Sequence, residues 1–309
     1  MRDGSAIIPD VRHHHVPTRA ILLITTSALC FTALDAITKF MTQRYSVPVL
    51  VWARYAVQFA AMLVWLGPGM RFDLVRTKRL RVQVFRGVLL LASSLFFTNA
   101  LRSLPLAEAT AIVYSTPMIV VLLGRLVLGE LLTQARIAFV IVGVAGMLLI
   151  VQPGTDVFHG AAFFGLAAAI VYACYQIMTR QLAGEDPRVL LFYPALIGTI
   201  AMTALAPGIQ WPPSMPWTHV LMIVCGGLLG TIGHFMLILA FRLAPASALT
   251  PFTYTQLVWA MLLGWLVYGD FPNGYRVAGM MVIAGSGLLM TLHERRRARL
   301  VVIDPITAQ

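Results

Sequence analysis

Charged residues are scarce in this sequence. Only 11% of the 309 residues are Asp, Glu, Lys or Arg, and 59% are hydrophobic. A soluble chain has about a quarter charged residues and about half apolar ones. The mean hydropathy is +0.82, and stretches of about 20 apolar residues, the length that spans a bilayer, recur along the chain. This composition excludes a soluble globular protein and predicts a polytopic helical membrane protein.

Cysteine residues and catalytic motifs are also few or missing. The three cysteines, Cys30, Cys174 and Cys225, each lie inside an apolar stretch. An odd number of thiols without zinc-ligand spacing argues against both a disulfide framework and a metal site. The sequence contains no G-x-S-x-G, H-E-x-x-H, C-x-x-C or P-loop pattern. We therefore expect neither an enzyme nor a bound metal or cofactor.

The apolar stretches predict ten transmembrane spans between two basic tails, residues 1–19 and 292–309. With the N-terminus placed in the cytoplasm, 18 of the 23 Lys and Arg residues lie on the cytoplasmic side. Positively charged loops remain cytoplasmic, so both termini are predicted to be cytoplasmic. We attribute the net charge of +11 to basic residues that orient the chain in the membrane and contact the lipid bilayer. We expect no nucleic-acid partner. The predicted spans are 20–41, 48–66, 83–101, 106–128, 135–151, 160–179, 189–206, 218–241, 246–268 and 275–291.

An internal repeat divides the chain into two halves, 20–151 and 160–291. Residues 102–151 and 242–291 align without a gap at an offset of 140, with identical Arg, Pro, Thr, Tyr and Gly pairs. Each half contains five spans, and since five is odd, the second half must enter the membrane in the opposite orientation. Inverted repeats are typical of secondary transporters that bind substrate near the membrane centre.

Two segments carry a resemblance to a known family. They read "ALRSLPLAEATAIVYSTPMIVVLLGRLVLGELLT" at 100–133 and "GVAGMLLIVQPG" at 143–154, and the second half echoes both. The chain resembles the EamA-type branch of the drug/metabolite transporter superfamily. The resemblance implies an all-α membrane protein with ten helices in two inverted five-helix repeats around a central cavity, in the cytoplasmic (inner) membrane. Members of this family export or import very different metabolites, so the resemblance does not name a substrate.

One acid and two bases lie inside the first two spans. Asp35 and Lys39 are four residues apart in span 1, and Arg54 lies in span 2 at a similar depth of roughly 9 Å. Ionised groups at this depth cost several kcal/mol unless they are paired or hydrated. We expect Asp35 to lie between the two bases. Either this cluster clamps the two helices, with Lys39 reaching the interface, or it acts on a substrate carboxylate or a coupling proton.

The other candidate transport residues are polar and aromatic side chains within the spans. His234 could bind substrate, shuttle a proton or simply pack with a hydrogen bond. Two prolines inside spans 4 and 9, Pro117 and Pro251, each remove a helix hydrogen bond and predict either a hinge or a static kink. Glu108 is expected at the outer rim, where a helix N-terminus favours an anion. The remaining candidates are Gln58, Thr98, Tyr114, Tyr175 and Tyr254.

Spans 5 and 10 have almost no polar side chains but contain small ones. Such residues allow close helix packing, either within one chain or between two chains of a homodimer. The glycines concerned are Gly143, Gly146, Gly279, Gly285 and Gly287.

These features predict a secondary transporter that works by alternating access. The surplus positive charge and the hydroxyl-bearing helix faces favour a carboxylate-bearing or zwitterionic solute, such as an amino acid or a derivative. Export as the direction follows from the family resemblance alone. The alternative is uptake of a nucleoside-like or vitamin-like metabolite, and more remote alternatives are a membrane-embedded enzyme and a scaffold that transports nothing.

Overall fold

The computed structural model describes residues 17–128, 133–153, 160–182, 184–244 and 246–303. Over these residues the chain forms α-helices, short 3₁₀ turns and connecting loops, without β-strands. The helices are α1 Thr18–Thr42, α2 Val47–Met70, α3 Leu80–Ser103, α4 Leu106–Val113, α5 Thr116–Leu128, α6 Gln134–Val151, α7 Ala162–Arg180, α8 Pro187–Ala204, α9 Trp217–Leu243, α10 Ala246–Thr253, α11 Thr255–Tyr268 and α12 Gly274–Ile303. The 3₁₀ turns are Arg71–Val75 and Ala206–Gly208.

Nine helical segments within the described ranges are long and apolar enough to cross a membrane. The remaining predicted span, the ninth at 246–268, coincides with the consecutive short helices α10 and α11. A multi-pass all-α membrane protein is therefore confirmed. The helix ends lie within a few residues of the predicted ones except in α2 and α12, which continue to Met70 and Ile303. The extension of α12 runs through "ERRRARL", whose residues are mostly good helix formers.

Helices α1 and α9 pack against each other along their whole length. Ala20 and Ile24, near the start of α1, lie in one apolar cluster with Ala240, near the end of α9. In the middle, the Ser27 hydroxyl donates a 2.7 Å hydrogen bond to the carbonyl of Gly233. A Cβ at position 233 would lie 3.0 Å from the Phe31 ring. Early residues of α1 thus meet late residues of α9, so the two helices run antiparallel and approach closely.

Helices α3 and α7 form a second antiparallel pair. The Ser93 hydroxyl donates to the carbonyl of Ala168 at 3.1 Å. Arg86, about two turns earlier on α3, donates to the Thr179 hydroxyl near the end of α7. The two serine bonds are related by the repeat, since Ser93 and Gly233 differ by 140 positions and Ser27 and Ala168 by 141.

Helices α6 and α12 form the third extensive pair, and glycines make it possible. A Cβ at Gly146 would lie 3.0 Å from the carbonyl oxygen of Gly279, and one at Gly279 would lie 2.7 Å from Ile150. Gly143 and Gly287 likewise face Met118 and Tyr254, whereas Gly285 has open space around it. Four of the five predicted packing glycines therefore serve contacts inside the chain. The homodimer through spans 5 and 10 stays a prediction.

The fourth and ninth spans are each broken in the middle. Helix α4 ends at Val113 and α5 begins at Thr116, while α10 ends at Thr253 and α11 begins at Thr255. The Ser115 hydroxyl donates to the carbonyl of Ile112 at 2.6 Å, and Thr255, 140 positions later, donates to that of Phe252 at 2.7 Å. Hydroxyl groups thus donate to carbonyls in the last turn before each break.

The predicted hinge prolines lie on opposite sides of these breaks. Pro117 is in the first turn of α5, where a helix tolerates proline. Since Pro117 has no N–H for the carbonyl of Val113, the Thr116 hydroxyl donates to that oxygen instead, at 2.6 Å. Pro251 lies inside α10, three residues before Tyr254. Both prolines adjoin a break, and their hinge role stays a prediction.

Candidate functional site

Asp35 is the buried acid of the candidate site. It lies on α1 and is 7% exposed. The charge that acts on it is the Arg54 guanidinium of α2, although neither Arg54 nor Lys39 comes within 4.0 Å of its carboxylate among the described ion pairs. A small cavity of about 20 Å³, enough for one water molecule, adjoins Arg54 between α1, α2 and α9. Asp35 and Arg54 are thus neighbours and not a closed ion pair.

Lys39 is not part of this group. Its ammonium donates a 2.6 Å hydrogen bond to the carbonyl of Leu104 and lies 5.4 Å from the ring centre of Tyr268. The acids that act on it are Asp270 and Glu108. The expected position of Asp35 between two bases is therefore wrong. The end of α3, where helix carbonyls lack intrahelical donors, meets this part of α1 and binds the ammonium instead.

Glu108 and Arg276 form an ion pair near Lys39. The side chain of Glu108 is 4% exposed and that of Arg276 is 14% exposed, so the pair is largely removed from water. Sequence analysis expected Glu108 at a rim, and the structure buries it instead, because α12 brings a guanidinium against the first turn of α4. Together with Lys39 and Asp270, this pair links the two halves of the chain at one end of the bundle.

Two pairs of tyrosines lie at the centre of the candidate site. Tyr114 and Tyr254, one at each helix break, have ring centres 5.4 Å apart. The Tyr114 hydroxyl donates to the carbonyl of Thr253 at 2.8 Å. Tyr172 and Tyr175 on α7 stack with ring centres 5.4 Å apart and ring planes 12° apart. Tyr172, Tyr254 and Asp35 all act electrostatically on Tyr114. The two pairs and Asp35 therefore border one region.

Arg86 is a functional candidate that sequence analysis missed. It is one of the 18 basic residues that the sequence places on the cytoplasmic side, at the start of span 3, but its side chain is buried at 2% exposure. Its position offered one signal, since "VQVFRGVLLL" places the arginine inside an apolar run. Arg86 acts electrostatically on Tyr172 and, with Arg54, on His234. The polar centre thus has two guanidinium groups where one was expected.

His234 and Thr98 also lie inside the bundle, in different surroundings. The His234 ring is half-buried and meets the Phe31 ring edge-on at 4.8 Å. Thr98 is 1% exposed, and its hydroxyl has no hydrogen-bond partner among the described residues. Thr32 and Thr110, by contrast, donate to the carbonyl four residues earlier. Gln58 is half-buried on α2. The structure brings His234 towards Arg54, while the transport roles of His234, Thr98 and Gln58 stay predictions.

The family follows from a comparison of the whole chain with known sequence families. The pattern of the EamA-like transporter family matches residues 18–152 and again residues 159–292. The chain belongs to the EamA-like transporter family. The resemblance to the drug/metabolite transporter superfamily inferred from residues 100–133 is thereby confirmed. This EamA-like chain is a member of a transporter family and not of an enzyme family.

Several curated proteins are similar to this EamA-like transporter along most of their length. A riboflavin transporter of Rhizobium johnstonii is 27% identical, over 92% of this chain and 95% of that protein. An S-adenosylmethionine uptake transporter of Rickettsia conorii is 23% identical, over 87% of this chain and 91% of that protein. A solved crystal structure matches with a TM-score of 0.63 at 22% identity, over 90% of this chain and 98% of the other. That structure supports the fold alone.

Proposed function

We propose that this EamA-like transporter takes up a flat heteroaromatic metabolite, of flavin-like or nucleoside-like chemistry, across the cytoplasmic membrane. The observation that supports this proposal is that two tyrosine pairs border one region together with Asp35. The pairs are Tyr114–Tyr254 and Tyr172–Tyr175. The proposal takes the second of the two substrate classes predicted from the sequence. The names of the riboflavin and S-adenosylmethionine uptake relatives support it.

Aromatic and charged side chains have separate tasks in this proposal. Tyrosine rings stack on the face of a heteroaromatic ring, and each such contact contributes about 0.5–1.5 kcal/mol beyond burial of its area. The edge of such a ring carries N–H donors and carbonyl or nitrogen acceptors. Asp35 can accept hydrogen bonds from the donors, and Arg54 can donate to the acceptors. Stacking would select solutes with a flat ring, and the hydrogen bonds would select the pattern of donors and acceptors on the edge of that ring.

The membrane arrangement is part of the same proposal. Five-helix repeats at 20–151 and 160–291, inverted with respect to each other and enclosing a central cavity, would supply the two states of alternating access. Support comes from the two family matches and from the breaks at Tyr114 and Tyr254, 140 positions apart. The bias of Lys and Arg supports cytoplasmic N- and C-termini.

Asp35 is the residue that we propose for a coupling proton. It is a buried acid without an ion pair closer than 4.0 Å in the described chain, and intramembrane acids commonly serve proton relays. A proton gradient that speeds transport by the native protein, but not by Asp35→Asn, would support this role. Equal stimulation of both proteins would assign coupling elsewhere or identify a facilitator.

Transport into proteoliposomes tests the proposed substrate class. Purified protein is reconstituted and supplied with riboflavin, S-adenosylmethionine, adenosine and a set of amino acids, with and without a pH gradient. We expect a heteroaromatic compound to enter, and Tyr172→Leu to lower the initial rate at low substrate concentration about tenfold. Tyr275→Leu is the matched control, since Tyr275 is 70% exposed on α12.

The same panel distinguishes the competing hypothesis. If only amino acids move, and both tyrosine variants behave alike, the heteroaromatic proposal is wrong. Efflux of a preloaded amino acid from cells that overproduce the protein would then support export of a carboxylate-bearing solute. The positive charge of Arg54 is the feature that would serve it.

A further inference from the structure

The Arg86 guanidinium donates hydrogen bonds to four groups of the protein. Its Nε donates to the Thr179 hydroxyl at 2.8 Å, and Nη1 donates to Gln83 Oε1 at 3.0 Å. Its Nη2 donates to the Tyr175 hydroxyl and to the carbonyl of Leu190, both at 2.9 Å. A guanidinium inside a membrane protein is costly unless its donors are bonded. Arg86 is 2% exposed, and these four bonds engage its guanidinium with protein groups.

These contacts fix the ring of Tyr175. The guanidinium carbon lies 4.8 Å from the centre of that ring, within the range of a cation–π contact. Together with the hydrogen bond to the hydroxyl, this leaves the ring little freedom to rotate. Tyr172 stacks on it with planes 12° apart, whereas the Tyr114 and Tyr254 rings are tilted by 51°. The pair beside Arg86 is thus the near-parallel one.

We infer that Arg86 is a positioning residue that holds Tyr175, and through it Tyr172, as a platform on which a heteroaromatic ring stacks. This inference rests on the proposed function and names the part of the site that would recognise the ring. Arg86 acts through Tyr175 and does not touch the solute. A platform fixed before the solute arrives loses less side-chain freedom on binding, and preorganisation of this kind strengthens binding.

The other half of the chain shows that the helix pair does not require an arginine at this place. At the repeat offset of 140, the counterpart of Arg86 is Gly226 on α9. A Cβ at Gly226 would lie 3.3 Å from Leu34 of α1, and Leu34 precedes Tyr175 by 141 positions. An apolar contact therefore joins α1 and α9 where Arg86 and Tyr175 join α3 and α7. Helix packing alone does not account for the buried guanidinium.

Binding of lumiflavin, a flavin ring without a sugar-like chain, tests the platform. Quenching of its fluorescence on titration with purified protein gives a dissociation constant. We expect Arg86→Gln and Tyr175→Phe each to weaken binding about tenfold, the range of one aromatic contact. The double variant should bind no more weakly than the weaker single variant, because both changes release the same ring.

Thr179→Val is the matched control, because it removes another hydroxyl partner of Arg86, together with the bond from that hydroxyl to the backbone carbonyl of Tyr175. It leaves the bond from Arg86 to the Tyr175 ring hydroxyl. We expect it to bind lumiflavin within about twofold of the native protein, since neither lost hydrogen bond involves the Tyr175 ring. If Thr179→Val weakens binding as much as Tyr175→Phe, Arg86 acts as a scaffold and the inference is wrong. Additive effects of Arg86→Gln and Tyr175→Phe would also overturn it.

A second measurement needs no solute. An experimental structure of Arg86→Gln should show the Tyr172 and Tyr175 planes well away from their 12° stack, and a retained stack would overturn the inference. If Arg86→Gln does not fold, the structure of Tyr175→Phe supplies the same comparison. If the native protein fails to bind both lumiflavin and adenosine, the proposed substrate class fails, while the ring geometry still decides the role of Arg86.

Discussion

The ion pair between Glu108 and Arg276 permits a quantitative prediction. Replacing the acid in Glu108→Gln leaves the guanidinium of Arg276 with a neutral partner at a site where its side chain is 14% exposed. Breaking a buried ion pair by removing one partner costs about 3–5 kcal/mol. Because Arg276 keeps some contact with water, we take the lower end of this range. We expect Glu108→Gln to lower the free energy of unfolding by about 3 kcal/mol.

Equilibrium unfolding in mild detergent, followed by tryptophan fluorescence, measures this loss. The control is Arg188→Gln, which removes an ion pair to Asp186 whose side chains are 48% and 35% exposed. Exposed pairs contribute about 0–1 kcal/mol, so the control should remain close to the native protein. The double variant Glu108→Gln/Arg276→Gln should recover part of the loss, because no unpaired buried charge remains.

Two outcomes would refute this reasoning. If Glu108→Gln is no less stable than Arg188→Gln, the pair is hydrated in the membrane and its burial has little energetic effect. If the double variant is less stable than the native protein by the full sum of the two single losses, the two residues act independently.

Three further predictions concern other parts of the chain. Gly279→Ala should destabilise the protein by about 1–3 kcal/mol through overpacking of α6 against α12, whereas Gly285→Ala, in open space, should be neutral or stabilising in the same unfolding assay. Hydrogen bonds from Arg188 hold the pKa of Asp186 below its usual value, so this carboxylate stabilises the fold at pH values above its unfolded pKa. The free energy of unfolding should lose this contribution as the pH falls through the lowered pKa, and Asp186→Asn should not show the loss. Thr116→Val leaves the carbonyl of Val113 without its donor and should cost about 1–3 kcal/mol, which thermal unfolding would detect.

The spans could be predicted from the sequence because each is an apolar run of bilayer length. The breaks could not. Proline placed the expected bends at Pro117 and Pro251, but the helices are interrupted at Tyr114 and Tyr254. Hydroxyl side chains beside these tyrosines bind carbonyls of the preceding turn, and a Ser or Thr in a sequence does not reveal whether it caps a break or bonds back within an intact helix.

The types of residue in the candidate site could be predicted from the sequence, but which of them contact one another could not. Periodicity places Asp35 and Lys39 on one face of a helix, yet it does not say which element lies opposite each turn. The carbonyl of Leu104 comes from the end of α3, and no pattern in span 1 indicates it. Arg86 was missed because a basic residue near the predicted start of a span is assigned to the loop before it. Only the packing of α7 against α3 shows it to be internal.

The broken helices make the interior of the helix bundle more polar than its side chains suggest. Carbonyl groups at the ends of α4 and α10, and N–H groups at the starts of α5 and α11, lie level with the tyrosines of the site. Hydropathy profiles register side chains and ignore the backbone, so both segments look uniformly apolar. A substitution such as Thr116→Val therefore changes the polarity of the site through the carbonyl of Val113, which loses its hydrogen bond. Surveys of variants in this family that rank changes by hydropathy would overlook the positions where peptide dipoles supply the polarity.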